Sequence, residues 1–131
     1  MKTVLQPAGW PRPKGYANGV AARGQMIFVA GMIGWDAEGR FRSDRLCDQA
    51  RQALVNINAV LAEAGAKPEH IVRMTWYVTD RQEYLDQGRE IGAAYRELIG
   101  DYAVTMTAIE VTALMEREAK VEIEVTAMLP A

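Results

Sequence analysis

The chain has 131 residues, half of them hydrophobic, with 15 basic and 17 acidic side chains and a formal charge of −2. That is the length of one ordinary domain able to bury a core without disulfides or metals, and residues 1–131 read as a single domain. Charges of both signs are mixed along the chain, which leaves no basic footprint for nucleic acid or an anionic membrane. One cysteine (Cys47) and one histidine (His70) exclude a disulfide framework and a Cys/His zinc site within one chain.

The opening fifteen residues carry Pro7, Gly9, Pro11, Pro13 and Gly15, which resist regular structure, so they predict an arm or loop leading to Tyr16. The same stretch does not read as a secretion leader, because its apolar run is short and prolines follow it. The longest nearly apolar run, Met26 to Gly34, is too short to span a bilayer. A soluble, reducing, cytoplasmic setting is the expectation. Gln25 to Gly34 is rich in strand formers and apolar on both sides, as in a strand covered on both faces. Gly31 and Gly34 there imply a bulge or a close backbone approach. Val20 to Gly24 is expected to pair with this strand across a turn near Arg23-Gly24.

Beyond the Asp36 to Gly39 turn, Leu46, Ala50, Ala53, Leu54, Ile57, Val60, Leu61 and Ala64 recur at helical spacing over about five turns. Ser43 or Asp44 can cap this helix, and Gly65 followed by Pro68 ends it, giving Ser43 to Ala64. His70 to Thr79 alternates, with Val72, Met74, Trp76 and Val78 on one side, and predicts a strand. Asp80-Arg81-Gln82-Glu83 has capping-box spacing, so a second helix is expected over Gln82 to Ile99, with Tyr84, Gly88, Ile91, Tyr95 and Leu98 inward. A strand over Thr105 to Thr112 and a loop over Ala113 to Ala119 lead into Lys120 to Leu129. That last stretch alternates without a break, Val121, Ile123, Val125, Ala127 and Leu129 against Glu122, Glu124, Thr126 and Met128. Two helices of this length cover one face of such a sheet, which is a two-layer α+β fold. Met26, Phe28, Ile109 and Val111 cannot all hide beneath them, and a partner subunit is the simplest cover for the other face.

Several spaced motifs resemble the RidA family, also called YjgF-like, of reactive enamine/imine deaminases. They are Lys14-Gly15-Tyr16, Val29-Ala30-Gly31, the run from Gln49 to Leu54 (QARQAL), and Val121 to Glu124 (VEIE). The resemblance spans roughly Gly15 to Leu129. It implies a chorismate-mutase-like α+β subunit with two helices on one sheet face, a homotrimer whose sheets form a central barrel, and clefts between subunits. In the family's deaminases each cleft binds a small 2-imino or enamine acid, and water releases ammonia to leave a 2-keto acid with no metal or organic cofactor.

Carried over residue by residue, the resemblance assigns Tyr16 and Glu122 to catalysis and lines the pocket with Gly31 and Ala30, the latter where a serine is common. The family's substrate arginine falls on Met106, and its nearby cysteine on Ala108. A thioether cannot make the charge-assisted bonds of a guanidinium, which contribute roughly 1.5–3 kcal/mol each. Arg89 and Arg73 are therefore candidate replacement cations. The sequence is similar to the paralogues that lack this arginine, some of which are similar to 2-aminomuconate deaminases. Two readings compete: an enamine/imine deaminase using Glu122, and a non-catalytic trimer that binds a small ligand or partner in the same cleft. Glu124 reads as structural, Cys47 as a packed thiol, and His70 as a surface residue.

Overall fold

The computed structural model describes residues 2–131. In chain order its elements are β1 (Lys2–Leu5), β2 (Gly19–Ala22), β3 (Gln25–Ile33), α1 (Leu46–Glu63), a 3-10 turn (Pro68–His70), β4 (Ile71–Val78), α2 (Arg81–Asp86), α3 (Gly88–Leu98), β5 (Thr105–Glu110) and β6 (Val121–Leu129). The fold is α+β. Four strands form a mixed sheet in the order β3-β6-β4-β5, and β1 and β2 form a separate two-stranded sheet.

The strand with the cleanest alternation is one of the two interior strands of this sheet. β6 pairs antiparallel with β3 and with β4. Its residues Val121, Ile123, Val125 and Ala127 are buried against the helices, while Glu124 between them is exposed. β4 and β5 are parallel, which requires a crossover, and α2 with α3 supplies it. α1 and α3 lie against each other, and α1 packs on β3 and β6. The inner stripe of α1, from Leu46 through Ala50, Ala53, Leu54 and Ile57 to Leu61, is fully buried together with Ile71, Met74 and Trp76 of β4.

Local chemistry explains where α1 stops. Gly65 takes φ +72°, its N–H donates to the Ala62 carbonyl at 3.0 Å, and the Ala66 N–H donates to the Leu61 carbonyl at 3.0 Å. These two bonds satisfy carbonyls the helix leaves open, in the left-handed arrangement that glycine adopts without steric cost. The start of α1 departs from expectation. Neither Ser43 nor Asp44 is the cap; Arg45 holds that position without a side-chain cap bond. The open donors are met from another helix: Leu46 N–H donates to Glu83 Oε2 at 3.1 Å and Cys47 N–H to Gln87 Oε1 at 2.7 Å.

Three further expectations are corrected. The N-terminal arm is not wholly irregular, because Lys2–Leu5 pairs antiparallel with Gly19–Ala22. Lys2 Nζ also donates to the carbonyls of Ile71 and Ala103, both at 2.9 Å, which ties this small sheet to the ends of β4 and β5. β2 accordingly pairs with β1 and not with β3. The second helix is two helices: Asp80 caps α2 by accepting from Glu83 N–H at 3.0 Å, as its spacing predicts, but the helix breaks at Gln87, next to Gly88. Glu83 does not complete the capping box. Its carboxylate serves α1 and takes Lys120 Nζ at 3.3 Å.

Both glycines singled out in and just after β3 have steric causes. The register with β6 slips between Val29 and Met32, a bulge that contains Ala30 and Gly31. At Gly34 a Cβ would stand 2.4 Å from Gln49 Cβ, so β3 and α1 approach as closely as they do only without a side chain there. On the helix-free face Phe28 is 71% exposed, Met26 and Ile109 are also exposed, and Val111 is half-buried. No helix among the described residues is long and apolar enough to cross a membrane.

Candidate active site

The residues singled out by sequence fall into two groups on opposite faces of the sheet. Glu122 alternates with buried Val121 and Ile123 and pairs with Tyr77 of β4, so its side chain emerges, half-buried, on the helix-free face. Gly31 lies against it: a Cβ at Gly31 would come within 2.7 Å of Glu122 Cδ and 2.8 Å of its Cγ. Among the described residues the Glu122 carboxylate takes no hydrogen bond and no ion pair. Glu124, two residues on, accepts from Tyr77 Oη at 2.5 Å, and this bond to a carboxylate raises the Tyr77 pKa. Of the two carboxylates on this strand, Glu124 is engaged in the fold and Glu122 is free to act on something else. Ala30 is exposed and opens into a hollow of about 520 Å³ with Phe28, Arg73, Thr75 and Glu124.

Met106 belongs to the other group. It pairs in register with Met74, which is fully buried beneath the helices, and it packs against the same core. Met106 therefore faces α3 and does not share a sheet face with Glu122. It floors a cavity of about 490 Å³ walled by Trp76, Tyr84, Ile91, Tyr95 and Arg96. Trp76 and Tyr84 meet edge to face at 6.1 Å between centroids, which fixes one apolar wall. Two polar atoms in this wall, Trp76 Nε1 and Tyr95 Oη, are buried without a hydrogen-bond partner. Burial, with a smaller contribution from Asp101, pushes the Tyr95 phenol up to about 12.

Tyr16 is 45% exposed and lines a smaller adjoining hollow of about 230 Å³. Gly15, Asp101 and Tyr102 border both this hollow and the Met106 cavity, so Tyr16 stands at the rim of the Met106 group. The neighbouring Ala17 bridges to Thr105, at the start of β5, which holds the segment there. One subunit thus unites Gly31 with Glu122, and Tyr16 with Met106, but does not join the two pairs.

Arg89 is exposed near the start of α3 and is not part of the cavity wall; Arg96, two turns later, is. The Arg96 guanidinium lies over Gly92, where a Cβ would stand 3.3 Å from Nη1, and it forms no ion pair among the described residues. Its spacing of four from Gly92, beside the inward Tyr95, was the available sequence cue. Gln49 was also missed as a functional support. Only 1% exposed, it donates to the carbonyls of Ser43 and Glu118 and accepts from Lys120 N–H at 2.8 Å, fastening the loop that leads into Glu122. Cys47 is buried, and that burial raises its pKa, as expected of a packed thiol. His70 is half-buried, and its Nδ1 accepts from Lys67 N–H at 2.9 Å in the 3-10 turn. No group of three or more His, Cys, Asp or Glu among the described residues is arranged to hold a metal ion.

A mixed four-stranded sheet with helices on one face and exposed Met26, Phe28 and Ile109 on the other defines an α+β protein of the YjgF-like fold. The chain belongs to the Rid (YjgF-like) family: the family described as endoribonuclease L-PSP matches residues 11–129. A RutC family protein of Aquifex aeolicus is 32% identical over 98% of this chain and 99% of its own. The 2-iminobutanoate/2-iminopropanoate deaminase of Salmonella typhimurium is 30% identical over 86% of each chain. Among solved structures, the Rid-family protein YyfB from Yersinia pestis superposes with a TM-score of 0.77 at 30% identity, covering 98% of both chains.

Proposed function

We propose that the protein is a homotrimeric enamine/imine deaminase whose site is completed across a subunit boundary, with Glu122 and Gly31 from one subunit facing Tyr16 and Met106 of the next. The observation that carries the reading is Glu122: a half-buried carboxylate without a partner, set against a glycine that leaves it room. Exposed apolar side chains on the helix-free face, Met26 and Phe28 on edge strand β3 and Ile109 on edge strand β5, support the assembly, since a neighbouring copy would cover them. The deaminase named in Salmonella typhimurium supports the reaction class.

In the reaction an enamine first tautomerises to its imine. Water adds through oxygen to the C=N carbon while Glu122 takes one of its protons and passes it to nitrogen, giving a carbinolamine. Glu122 then takes the hydroxyl proton and delivers it to the amino nitrogen, so that the C–N bond breaks, ammonia leaves and the oxygen closes to a carbonyl. The balance is one imine and one water to one ketone and one ammonia. A partly dry cleft strengthens each proton transfer, and Tyr16 with the Gly31 backbone orients the substrate. Because Met106 offers a soft apolar surface with no donor, longer conjugated enamines of the aminomuconate kind are the preferred substrates over short 2-imino acids. A reducing cytoplasmic setting suits the single buried thiol of Cys47.

The test is ammonia release from 2-iminobutyrate and from a conjugated enamine, with Glu122→Gln and Met106→Arg beside the parent. Glu122→Gln is expected to lower kcat at least 100-fold, within the usual contribution of a positioned acid/base of about 10²–10⁴. Met106→Arg is expected to improve the short acid. A parent that already prefers the short acid refutes the substrate reading. Absence of turnover on both, unchanged in Glu122→Gln, favours the non-catalytic ligand-binding trimer.

A further inference from the structure

The cavity between α3 and β5 holds features that the loss of a strand arginine does not explain. At about 490 Å³ it is within the ordinary range for small ligands, roughly 300–1,000 Å³. Its floor and walls are Met106, Trp76, Tyr84, Ile91 and Tyr95, a surface made for a flat, unsaturated body. The cation in the wall, Arg96, is unpaired among the described residues and is folded back over Gly92 toward the cavity.

We propose that this cavity is a carboxylate-recognition subsite in which Arg96, carried by the helix layer, supplies the cation that the strand position Met106 lacks. This inference rests on the deaminase reading only for the identity of the reacting end; the binding chemistry stands on its own. Moving the cation from strand to helix sets the length of ligand it accepts. A guanidinium at Met106 would hold a carboxylate against the sheet. One on α3 holds it across the cavity, so the carboxylate must be separated from the sheet end of the ligand by a chain long enough to lie along Trp76 and Met106. The ligand class is therefore a conjugated carboxylate, bound through an Arg96 fork with its unsaturated body against the apolar, aromatic wall.

Isothermal titration calorimetry of the full protein with sorbate (hexa-2,4-dienoate), its neutral amide and 2-oxobutyrate tests the proposal without any turnover. Sorbate is expected to bind more tightly than 2-oxobutyrate. Arg96→Met is expected to weaken sorbate about 10- to 100-fold, the usual worth of a charge-assisted pair, and to leave the amide within about twofold. Arg96→Lys is expected to recover part of the loss, since it keeps the charge without the fork. Because Arg96 is exposed, neither variant threatens the fold. The proposal is overturned if sorbate gives no heat at millimolar concentration, if Arg96→Met binds it as the parent does, or if 2-oxobutyrate binds as tightly. Arg96-dependent sorbate binding without ammonia release would retain the subsite and remove the deaminase reading; ammonia release indifferent to Arg96, with sorbate unbound, would do the reverse.

Discussion

Replacing Gln49 tests whether the loop entering β6 is held by one buried amide. Its three bonds are to main-chain groups: Nε2 to Ser43 O at 3.1 Å and to Glu118 O at 2.9 Å, and Oε1 from Lys120 N at 2.8 Å. A buried polar group left without its partner costs about 1–3 kcal/mol, and the two carbonyls lie in partly exposed segments that water can reach. Gln49→Leu keeps the volume and shuts water out, so the Lys120 N–H is stranded and the expected cost is about 2–4 kcal/mol. Gln49→Ala opens a space that water can enter, so its polar penalty is smaller, although it loses more packing. The amide therefore predicts that the more hydrophobic Leu variant is no more stable than the Ala variant. Urea unfolding at one fixed protein concentration measures both, because any assembly links apparent stability to concentration. Against a total of about 5–15 kcal/mol, the loss is easily resolved. A Leu variant within about 1 kcal/mol of the parent would show that these bonds do not anchor the loop, and would remove Gln49 as a support for Glu122.

Gly34→Ala forces a Cβ to 2.4 Å from Gln49 Cβ and 2.7 Å from its main-chain oxygen, so β3 and α1 must part. An overpacking cost of about 2–3 kcal/mol is expected in the same unfolding assay. Phe28→Glu places a charge at a 71%-exposed position of edge strand β3 on the helix-free face, and light scattering is expected to show the assembly falling toward the 14.5 kDa subunit; an unchanged mass argues that this face is not the interface. Tyr95, with its phenol raised to about 12 from an ordinary 10.0, contributes stability that is complete below about pH 10 and declines as pH rises toward 12, because the unfolded chain gives up its proton first. Tyr95→Phe should delete that last step from an alkaline absorbance titration, and an unaltered curve would refute the burial argument.

Much of the scaffold was legible because period and turn chemistry are local. Strict alternation placed Val121, Ile123, Val125 and Ala127 inward and Glu122 and Glu124 outward before any neighbour was known. The α1 stripe and Gly65 likewise located the helix and its end, and Gly31 and Gly34 marked a bulge and a close approach. Glu122 was set apart from Glu124 by its motif alone, since the alternation treats the two alike. The physical difference is tertiary: the bond from Tyr77, a residue 47 positions away, engages Glu124 and leaves Glu122 free.

What the sequence alone determined is therefore the set of elements and the face each side chain takes within its own element. Tertiary structure decided which elements meet. β2 found β1 rather than β3, and α1 took its N-terminal caps from Glu83 and Gln87, because a backbone N–H donates to whichever acceptor the fold brings near. The same holds for the cation beside Met106. Arg89 and Arg96 are equally plausible by composition, and the cavity took Arg96 because the packing of α3 over β5, not the spacing of charges along the chain, sets which guanidinium reaches its wall.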